Sequence, residues 1–253
     1  MCDTCGCSIT DGNRAQAHAI HAPSGADTIE VLESLLAHND HQASHNREHF
    51  DNHGVIALNL MSSPGAGKTT LLESTIEALG GKRRIAVIEG DLETENDAAR
   101  IRRCGVPAVQ ITTGTACHLD AHLVHDAVHE LDLDELDIVF IENVGNLVCP
   151  ASFDLGQHLN VTLLSTTEGD DKPAKYPVMF RGADMVLLTK TDLLEALKDD
   201  FRPENAERAV RALGNEAPIL RLSPRQPHTL EPWLDWILES HARQRGAPVS
   251  RAV

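Results

Sequence analysis

Between residues 54 and 240, short apolar runs alternate with segments in which apolar residues recur at helical spacing. Seven runs are rich in Val, Ile and Leu, and they lie near residues 55–61, 84–89, 107–111, 137–142, 160–166, 184–189 and 218–222. Continuous apolar strands separated by helical segments are typical of a parallel sheet covered by helices on both faces. The pattern therefore predicts an α/β fold with a mostly parallel sheet.

The two ends of the chain lack this alternation. Residues 1–53 hold three cysteines and seven histidines among Gly, Ser and Asn, and only Ile29 to Ala37 has a helical apolar rhythm. Residues 241–253 contain Arg, Gly, Pro and Ser without periodicity. We therefore expect a flexible metal-binding arm over 1–53, an α/β domain over 54–240 and a frayed tail over 241–253.

Composition narrows the range of partners. The 253 residues carry a formal net charge of -16, and 42% of them are hydrophobic, which suffices for one sizeable core. This acidity argues against nucleic acid or an anionic membrane as a partner, since either requires a basic patch. No apolar run approaches the roughly 18 residues of a membrane span, and the N-terminus lacks the features of a secretory signal. We expect a cytoplasmic protein whose six cysteines are metal ligands or buried thiols.

The most informative motif is Ser62-Ser63-Pro64-Gly65-Ala66-Gly67-Lys68-Thr69-Thr70, between a predicted strand and a predicted helix. In a phosphate-binding P-loop of this kind, backbone N–H groups and the helix dipole face a β-phosphate. Lys68 would neutralise the β- and γ-phosphate oxygens, and Thr69 would bind Mg²⁺. Ser62 replaces the first glycine of the usual pattern, and a small residue there still permits the turn. The expected nucleotide contacts in this loop are Gly65, Ala66, Gly67, Lys68, Thr69 and Thr70.

Two carboxylates end predicted strands. Asp91 follows the run from Ile85 to Gly90, where an open α/β sheet places its ligands, and it would hold Mg²⁺ or its water shell. Glu142 begins Glu142-Asn143-Val144-Gly145, which resembles the switch II element of GTPases with Glu in place of Asp. Gly145 would donate its N–H to a γ-phosphate and move when that phosphate leaves. We expect Lys68, Asp91 and Glu142 to be catalytic, although each carboxylate alone is equally well explained as a helix N-cap.

A base-recognition motif follows a later strand. Thr189-Lys190-Thr191-Asp192 stands where GTPases have N-K-x-D. Lys190 and Asp192 are expected nucleotide contacts, because the Asp192 carboxylate would accept hydrogen bonds from guanine N1–H and N2–H, which adenine does not offer. Thr189 lacks the Asn amide that normally braces this loop. Together with the P-loop and the two strand-end carboxylates, the motif favours a GTPase.

Thiols at the N-terminus form the first candidate metal site. Cys2, Cys5 and Cys7 make up a C-x-x-C-G-C motif, and three thiolates this close can surround one soft or borderline divalent ion. The α-amino group is near enough to be a fourth donor. Such donors suit square-planar Ni²⁺ or tetrahedral Zn²⁺, and the motif does not choose between them.

A second candidate site lies next to the predicted nucleotide loops. Cys117 and His118 open a helical segment, and Cys149 follows Gly145 by four residues. Three ligands leave a tetrahedral site incomplete, so two subunits sharing ligands across a symmetric contact would complete it. Cys104 stands apart and is interpreted as a small buried residue.

Histidines form two further sets. In the series from His38 to His53 the last four recur every four residues, so a helix would align them into a stripe that holds Ni²⁺ or Zn²⁺ weakly. A solvated polar segment is the alternative. His122, His125 and His129 share another helical face and are interpreted as structural histidines.

Taken together, these residues resemble the hydrogenase nickel-incorporation GTPases, the HypB family, over nearly the whole chain. The resemblance is carried by Cys2 to Cys7, Ser62 to Thr70, Gly114 to His122, Ile141 to Pro150 and Ser165 to Asp171. Of these, the Cys-His block and the Glu-Asn-Val-Gly-Asn block are specific to the family.

The resemblance implies a dimerising GTPase of the SIMIBI class of P-loop NTPases. Its members deliver nickel to the large subunit of nickel-iron hydrogenase, together with a small nickel-binding accessory protein. The resemblance also implies a tight Ni²⁺ site at the three N-terminal cysteines and a Ni²⁺ or Zn²⁺ site from Cys117, His118 and Cys149 of paired subunits. GTP hydrolysis should be slow in the isolated protein, because no residue is recognisable as an arginine finger. Thr189 departs from the family's usual Asn, and the short histidine segment makes nickel storage secondary to delivery.

Three alternatives follow from the same residues. A GTPase serving another nickel enzyme, such as urease, would share the P-loop class but would not predict the C-x-x-C-G-C motif. A nickel-storage protein with a vestigial P-loop is disfavoured by the intact Lys68, Thr69, Asp91 and Glu142. A related dimeric ATPase is disfavoured because Ser63 replaces the additional lysine that such ATPases carry near the start of the P-loop.

Overall fold

A seven-stranded sheet forms the centre of the molecule. The computed structural model describes residues 25–91, 96–114 and 116–246, and for residues 25–35 the backbone only. The strands are β1 (Ile56–Met61), β2 (Ile85–Asp91), β3 (Ala108–Thr112), β4 (Ile138–Glu142), β5 (Leu159–Ser165), β6 (Met185–Thr189) and β7 (Ile219–Arg221). Each begins and ends within two residues of the range expected from the apolar runs.

Helices connect the strands. In the described part of the chain they are α1 (Gly25–His53), α2 (Lys68–Leu79), α3 (Asn96–Arg103), α4 (Ala121–Val128), α5 (Lys172–Lys175), α6 (Pro177–Arg181), α7 (Pro203–Ala212) and α8 (Glu231–Gln244). Short 3-10 helices lie at Leu133–Glu135, Cys149–Ser152, Thr191–Leu193 and Pro227–Leu230. None of the described helices combines the length and the apolar character of a membrane span.

The strands run parallel in the order β3-β2-β4-β1-β5-β6-β7, so the expected α/β fold is confirmed. β4 lies between β1 and β2, and its last residue, Glu142, is in register with Leu60 of β1 and Glu89 of β2. Because the strands are parallel, their carboxyl ends meet at one edge of the sheet. The P-loop after β1 therefore lies beside the carboxylates of β2 and β4.

Apolar side chains cover both faces of the sheet. On one face, Leu58 of β1 and Phe140 of β4 pack with residues of α2 and α8, including the buried Trp233. On the other face, Ala57 of β1 packs with residues of α1 and α4. Burying both faces explains why the strands read as continuous apolar runs rather than as alternating ones.

Helix α1 differs from the flexible arm that the sequence predicted. Its second half is folded onto the domain, with Ala43 and Phe50 fully buried at helical spacing. Gly156 has a φ of +90°, and a Cβ there would lie 2.5 Å from the Asn46 Cβ, so α1 approaches this turn closely. The folded domain therefore includes part of the segment assigned to the arm. Residues 1–24, with Cys2, Cys5 and Cys7, lie outside the described residues.

The C-terminal tail also begins later than expected. Helix α8 continues to Gln244, and His241, the first residue of the expected tail, is buried with its Nε2 3.2 Å from the Gly54 carbonyl oxygen. Residues 247–253 lie outside the described part of the chain.

Candidate functional site

The P-loop connects β1 to α2 in a conformation that requires glycine. Gly65 and Gly67 have φ angles of 75° and 99°, in the left-handed region that side chains disfavour. Lys68, the first residue of α2, is only 8% exposed, and its Nζ lies 3.1 Å from Ser62 Oγ. Ser62 thus accepts a hydrogen bond from the P-loop lysine, a role that its position in the pattern did not reveal.

Acidic side chains meet Lys68 and Thr69 at the edge of the sheet. Thr69 Oγ1 donates a hydrogen bond of 2.9 Å to Glu142 Oε1, and Lys68 Nζ lies 3.9 Å from the same oxygen. Glu89 is in register with Glu142, and both residues are buried. Asp91 ends β2 at the same edge, in register with Thr112. Glu142 and Asp91 were predicted from the sequence, and Glu89 was not.

Burial changes the ionisation of the paired carboxyl groups. Loss of hydration, together with the charge and hydrogen bonding of Glu142, raises the pKa of Glu89 to about 11. Loss of hydration also raises the pKa of Glu142, against the opposing effect of the Lys68 charge. Without a bound cation, the pair therefore retains a proton at neutral pH.

The same carboxyl groups fit a hard cation. Glu89 Oε2 and Glu142 Oε2 are buried, and neither accepts a hydrogen bond from any group in the described residues. Hydroxyl and carboxylate oxygens are the ligands that Mg²⁺ takes in phosphate-binding sites. Thr69, Glu142 and Glu89 therefore offer oxygen ligands of the kind that Mg²⁺ takes, and Asp91 ends β2 at the same edge of the sheet.

The segment after Glu142 lies against the P-loop. A Cβ at Gly145 would lie 2.8 Å from Pro64 Cα, so only glycine fits there without displacing the P-loop backbone. Asn143 is buried, and its Oδ1 accepts hydrogen bonds from the backbone N–H groups of Val144 and Leu119, at 3.0 and 3.2 Å. The switch-like segment is thereby tied to the phosphate loop and to the residue that follows His118.

The base-recognition motif is braced by the P-loop. Thr189 Oγ1 donates a hydrogen bond of 2.8 Å to the Ala66 carbonyl oxygen, and Lys190 Nζ donates one of 2.7 Å to the Gly65 carbonyl oxygen. Lys190 has a φ of 57°, a conformation that costs a non-glycine residue roughly 1–3 kcal/mol. Such strain is typical of a functional loop held by its surroundings.

Asp192 is held by residues far away in the sequence. Its Oδ1 accepts a hydrogen bond of 2.6 Å from Ser223 Oγ, and its Oδ2 lies 3.8 Å from Arg225 Nη1. Neither Ser223 nor Arg225 was identified from the sequence. The motif Ser-Pro-Arg directly after an apolar strand was the available signal.

Cys117, His118 and Cys149 converge on one point. The two Sγ atoms are 2.9 Å apart, His118 Nδ1 lies 3.7 Å from Cys117 Sγ, and all three ligand atoms lie within 4.8 Å of one another. His118 is buried and stacks on Phe153 at a ring-centroid distance of 4.0 Å. Burial lowers the pKa of His118, which favours the neutral imidazole that binds metals. Cys104, expected to be buried, is instead exposed on the surface.

Several histidines of α1 lie beside histidines of α4. His45 and His49 of α1 lie beside His125, their ligand atoms within 4.8 Å of one another. The His38 ring instead lies 4.7 Å from the His122 ring, and His53 Nδ1 donates to the His49 carbonyl oxygen at 2.8 Å.

Comparison with known proteins agrees with this geometry. Residues 56–221 match the family model described as CobW/HypB/UreG, nucleotide-binding domain. The hydrogenase maturation factor HypB of Azotobacter chroococcum mcd 1 is 51% identical over 229 residues, covering 90% of this chain and 73% of that protein. A Helicobacter pylori J99 protein named hydrogenase/urease maturation factor HypB is 44% identical over 215 residues, covering 83% of this chain and 87% of that protein.

A solved structure extends the likeness to three dimensions. The crystal structure of Helicobacter pylori HypB in complex with nickel has a TM-score of 0.77 at 42% sequence identity, and the alignment covers 85% of this chain and 99% of that one. The matched family model spans more than half of the chain. The chain therefore belongs to the HypB family of hydrogenase maturation factors, within the CobW/HypB/UreG group of nucleotide-binding proteins.

Proposed function

We propose that this chain is a GTP-hydrolysing metallochaperone that delivers nickel to the large subunit of nickel-iron hydrogenase. One observation carries the proposal: a single segment following β4 links a nucleotide-site residue to a metal-site residue. Glu142 lies 2.9 Å from the Thr69 hydroxyl, and seven residues later Cys149 lies 2.9 Å from Cys117. A displacement at the phosphate end of this segment acts directly on a metal ligand.

The nucleotide would lie along the carboxyl edge of the sheet. Backbone N–H groups of the P-loop and the start of α2 face its phosphates, with Lys68 neutralising the β- and γ-phosphate oxygens. Thr69 and Asp91, with Glu142, would hold Mg²⁺, which supplies further positive charge to these oxygens. Asp192, oriented by Ser223, would bind guanine N1–H and N2–H.

Hydrolysis follows from positioning rather than from covalent chemistry. Lys68 would exchange its contacts with Ser62 and Glu142 for the phosphates. Gly145, which lies against Pro64, would donate its N–H to the γ-phosphate. We expect slow hydrolysis by the isolated chain, because no residue of the sequence is recognisable as an arginine finger.

Nickel would occupy two kinds of site. The Cys2, Cys5 and Cys7 motif would bind Ni²⁺ tightly, whereas Cys117, His118 and Cys149 would bind Ni²⁺ or Zn²⁺ together with the same residues of a second subunit. Val148, next to Cys149, is 59% exposed, so the chain beside this site is accessible to a second subunit. The proposed partners are the second subunit, a small nickel-binding accessory protein and the hydrogenase large subunit.

The test is a Ni²⁺ titration of the full chain with GDP and with a slowly hydrolysed GTP analogue, alongside size-exclusion chromatography. We expect the two nucleotides to give different Ni²⁺ affinities, and the GTP analogue with metal to favour the dimer. Equal affinities and an unchanged assembly state would contradict a nucleotide-driven delivery cycle.

A role in urease maturation is the second candidate, because the Helicobacter pylori relative is named for both enzymes. Cells lacking this protein should lose hydrogenase activity and regain it with added nickel. Loss of urease activity instead, with hydrogenase unaffected, would favour the second candidate. A nickel-storage role predicts several ions per chain and no dependence on Lys68.

A further inference from the structure

Four imidazoles from two helices meet on the surface where α1 packs on α4. His45 and His49 belong to α1, and His125 and His129 lie in α4 and directly after it. The ligand atoms of the first three lie within 4.8 Å of one another, and His129 Nε2 is 3.0 Å from His125 Nε2. We call His45, His49, His125 and His129 the interhelical histidine cluster.

The orientation of His125 is set by a buried amide. Asn46 Nδ2 donates hydrogen bonds to the carbonyl oxygens of Ala121 and Leu155, at 2.8 and 3.0 Å, so Asn46 Oδ1 is the accepting end of that side chain. His125 Nδ1 lies 3.0 Å from Asn46 Oδ1 and therefore carries the proton that it donates. This leaves an electron pair on His125 Nε2, which faces the other imidazoles. A metal-binding histidine is typically held in this way, with its other nitrogen donating to a protein oxygen.

The cluster is suited to remaining neutral. Burial and then the neighbouring histidines lower the pKa of both His49 and His125. Crowded imidazoles repel one another when protonated, whereas neutral ones can share a cation. The chain's net charge of -16 adds a general attraction for cations.

Packing alone does not account for the cluster. Helix α1 is already anchored by the buried Ala43, Asn46 and Phe50. His45 and His129 remain exposed beside this anchor, and His49 and His125 are half-buried. Their exposure leaves a path by which an ion can enter from solvent.

The spacing fits a metal of the borderline class. Zn²⁺ lies about 2.0–2.1 Å from imidazole nitrogens, so ligand nitrogens around one ion are roughly 3–4 Å apart. The nitrogens of His45, His49 and His125 reach that separation with small side-chain rotations, since they lie within 4.8 Å of one another before any ion is bound. Imidazole suits Zn²⁺, Cu²⁺ and Ni²⁺, and it is a poor ligand for Mg²⁺ or Ca²⁺.

We propose that the interhelical histidine cluster binds one Zn²⁺ or Ni²⁺ ion per chain and clamps α1 onto α4. The site is formed within one subunit and shares no ligand with Cys117, His118 and Cys149. It differs from the predicted single-helix stripe, because half of its ligands come from histidines that the sequence analysis interpreted as structural. It depends on neither nucleotide nor hydrogenase, so it stands apart from the proposed function.

The test counts metal ions on the full chain. The variant His49→Gln/His125→Gln removes two cluster ligands, and His41→Gln/His228→Gln removes two exposed histidines outside it. Equilibrium dialysis against Zn²⁺ and, separately, Ni²⁺, with a competing chelator, measures the number and affinity of bound ions. We expect the cluster variant to lose one ion per chain, or to bind it at least about 10-fold more weakly, while the control matches the parent.

A second readout reports the clamp itself. Metal that joins α1 to α4 should raise the unfolding temperature of the parent and the control more than that of the cluster variant, since only native protein has the complete site. Circular dichroism of the metal-free proteins checks folding. If His49→Gln/His125→Gln does not fold, His45→Gln/His129→Gln, at the two exposed positions, replaces it. If the cluster variant binds as many ions as His41→Gln/His228→Gln, and binds them as tightly, the proposal is wrong, whatever the outcome of the nucleotide experiments.

Discussion

The Thr189 hydroxyl donates a hydrogen bond of 2.8 Å to the carbonyl oxygen of Ala66, although the two residues are 123 positions apart. This bond joins the end of β6 to the P-loop. In the sequence, Thr189 weakens the match to the base-recognition motif, because it replaces an asparagine whose amide braces the loop. In the folded chain the threonine hydroxyl supplies a brace of its own.

We therefore predict that removing that hydroxyl lowers the stability of the protein and its affinity for GDP. Thr189→Val keeps the shape of the side chain but leaves the buried Ala66 carbonyl oxygen without this donor, so unfolding free energy should fall by about 1–3 kcal/mol. GDP binding should weaken as well, because the P-loop and the base loop lose a shared contact. Calorimetry of unfolding and of GDP binding measures both effects, and Thr189→Ser serves as the control that retains the hydroxyl. If Thr189→Val binds GDP as tightly as Thr189→Ser and has the same free energy of unfolding, the bond stabilises neither the fold nor the nucleotide site.

The second prediction concerns Lys68 and GTP hydrolysis. Lys68→Ala removes the ammonium group from the phosphates, and we expect GTP turnover to fall by roughly 10²–10³-fold. Metal binding by Cys117, His118 and Cys149 should persist, because Lys68 is not one of the ligands. Phosphate release at saturating GTP is the measurement, with the exposed Lys175→Ala as control. Parent-like hydrolysis by the Lys68 variant would refute the P-loop assignment.

The base-recognition motif makes a prediction about specificity. Asp192→Asn places a donor where guanine N2–H needs an acceptor, so GTP affinity should fall while xanthosine triphosphate, which has an oxygen at C2, gains. Losing a hydrogen bond to a charged group costs about 1.5–3 kcal/mol, or roughly 10- to 150-fold in affinity. Competition binding of the two nucleotides measures the switch. An unchanged preference for GTP would leave Asp192 as a partner of Ser223 alone.

The paired carboxyls predict a pH dependence in the metal-free and nucleotide-free protein. The pKa of Glu89 rises from 4.5 to about 11 on folding, so between these values the native state holds a proton that the unfolded chain releases. Stability due to this group is therefore complete below pH 4.5 and is lost as pH rises towards 11. The free energy of unfolding of Glu89→Gln, relative to the parent, should rise with pH by up to about 1 kcal/mol per pH unit.

Urea unfolding from pH 5.5 to pH 8.5, in the presence of a chelator, measures this difference at roughly 1 kcal/mol resolution. The exposed Glu77→Gln is the control and should follow the parent at every pH. If the difference in unfolding free energy between Glu89→Gln and the parent does not change with pH, Glu89 is ionised in the native protein.

The strands and the P-loop were predictable from the sequence because their signals are local. A parallel strand buried on both faces must be apolar throughout, and the Gly-Lys-Thr turn is set by neighbouring residues. Glu89 was missed because its importance comes from register: only when β2 pairs with β4 does it lie beside Glu142. Ser223 was missed because it meets Asp192 across 31 residues of chain.

For helix α1, the local sequence signal was misleading. Its many histidines and polar residues suggested a solvated arm, whereas a few well-spaced residues, Ala43, Asn46 and Phe50, suffice to anchor it. The sequence predicted the i, i+4 spacing of His45 and His49 correctly. Their grouping with His125 required the packing of α1 on α4, which no local pattern encodes.

The last prediction concerns the coupling of nucleotide to metal. Gly145 lies against Pro64, and Cys149 follows it by four residues, so a γ-phosphate that moves Gly145 should also shift Cys149. Asn143 adds a second link, because its Oδ1 accepts the backbone N–H of Leu119, next to His118. Metal affinity should then differ between the GTP-analogue and GDP states by about 5- to 150-fold, or about 1–3 kcal/mol, and bound metal must change relative nucleotide affinity by the same factor.

Ni²⁺ competition with a chelator tests this coupling in a chain carrying Cys2→Ser, Cys5→Ser and Cys7→Ser, which removes the expected N-terminal site. In this background Cys149→Ala should abolish the difference between nucleotide states. Gly145→Ala should reduce it, because a Cβ only 2.8 Å from Pro64 Cα would push the segment and the P-loop apart. Cys104→Ala, which removes an exposed thiol elsewhere, should leave the difference intact. Equal Ni²⁺ affinities in both nucleotide states of the background protein would mean that nucleotide and metal binding are not coupled. Cys117, His118 and Cys149 would then be a structural zinc site.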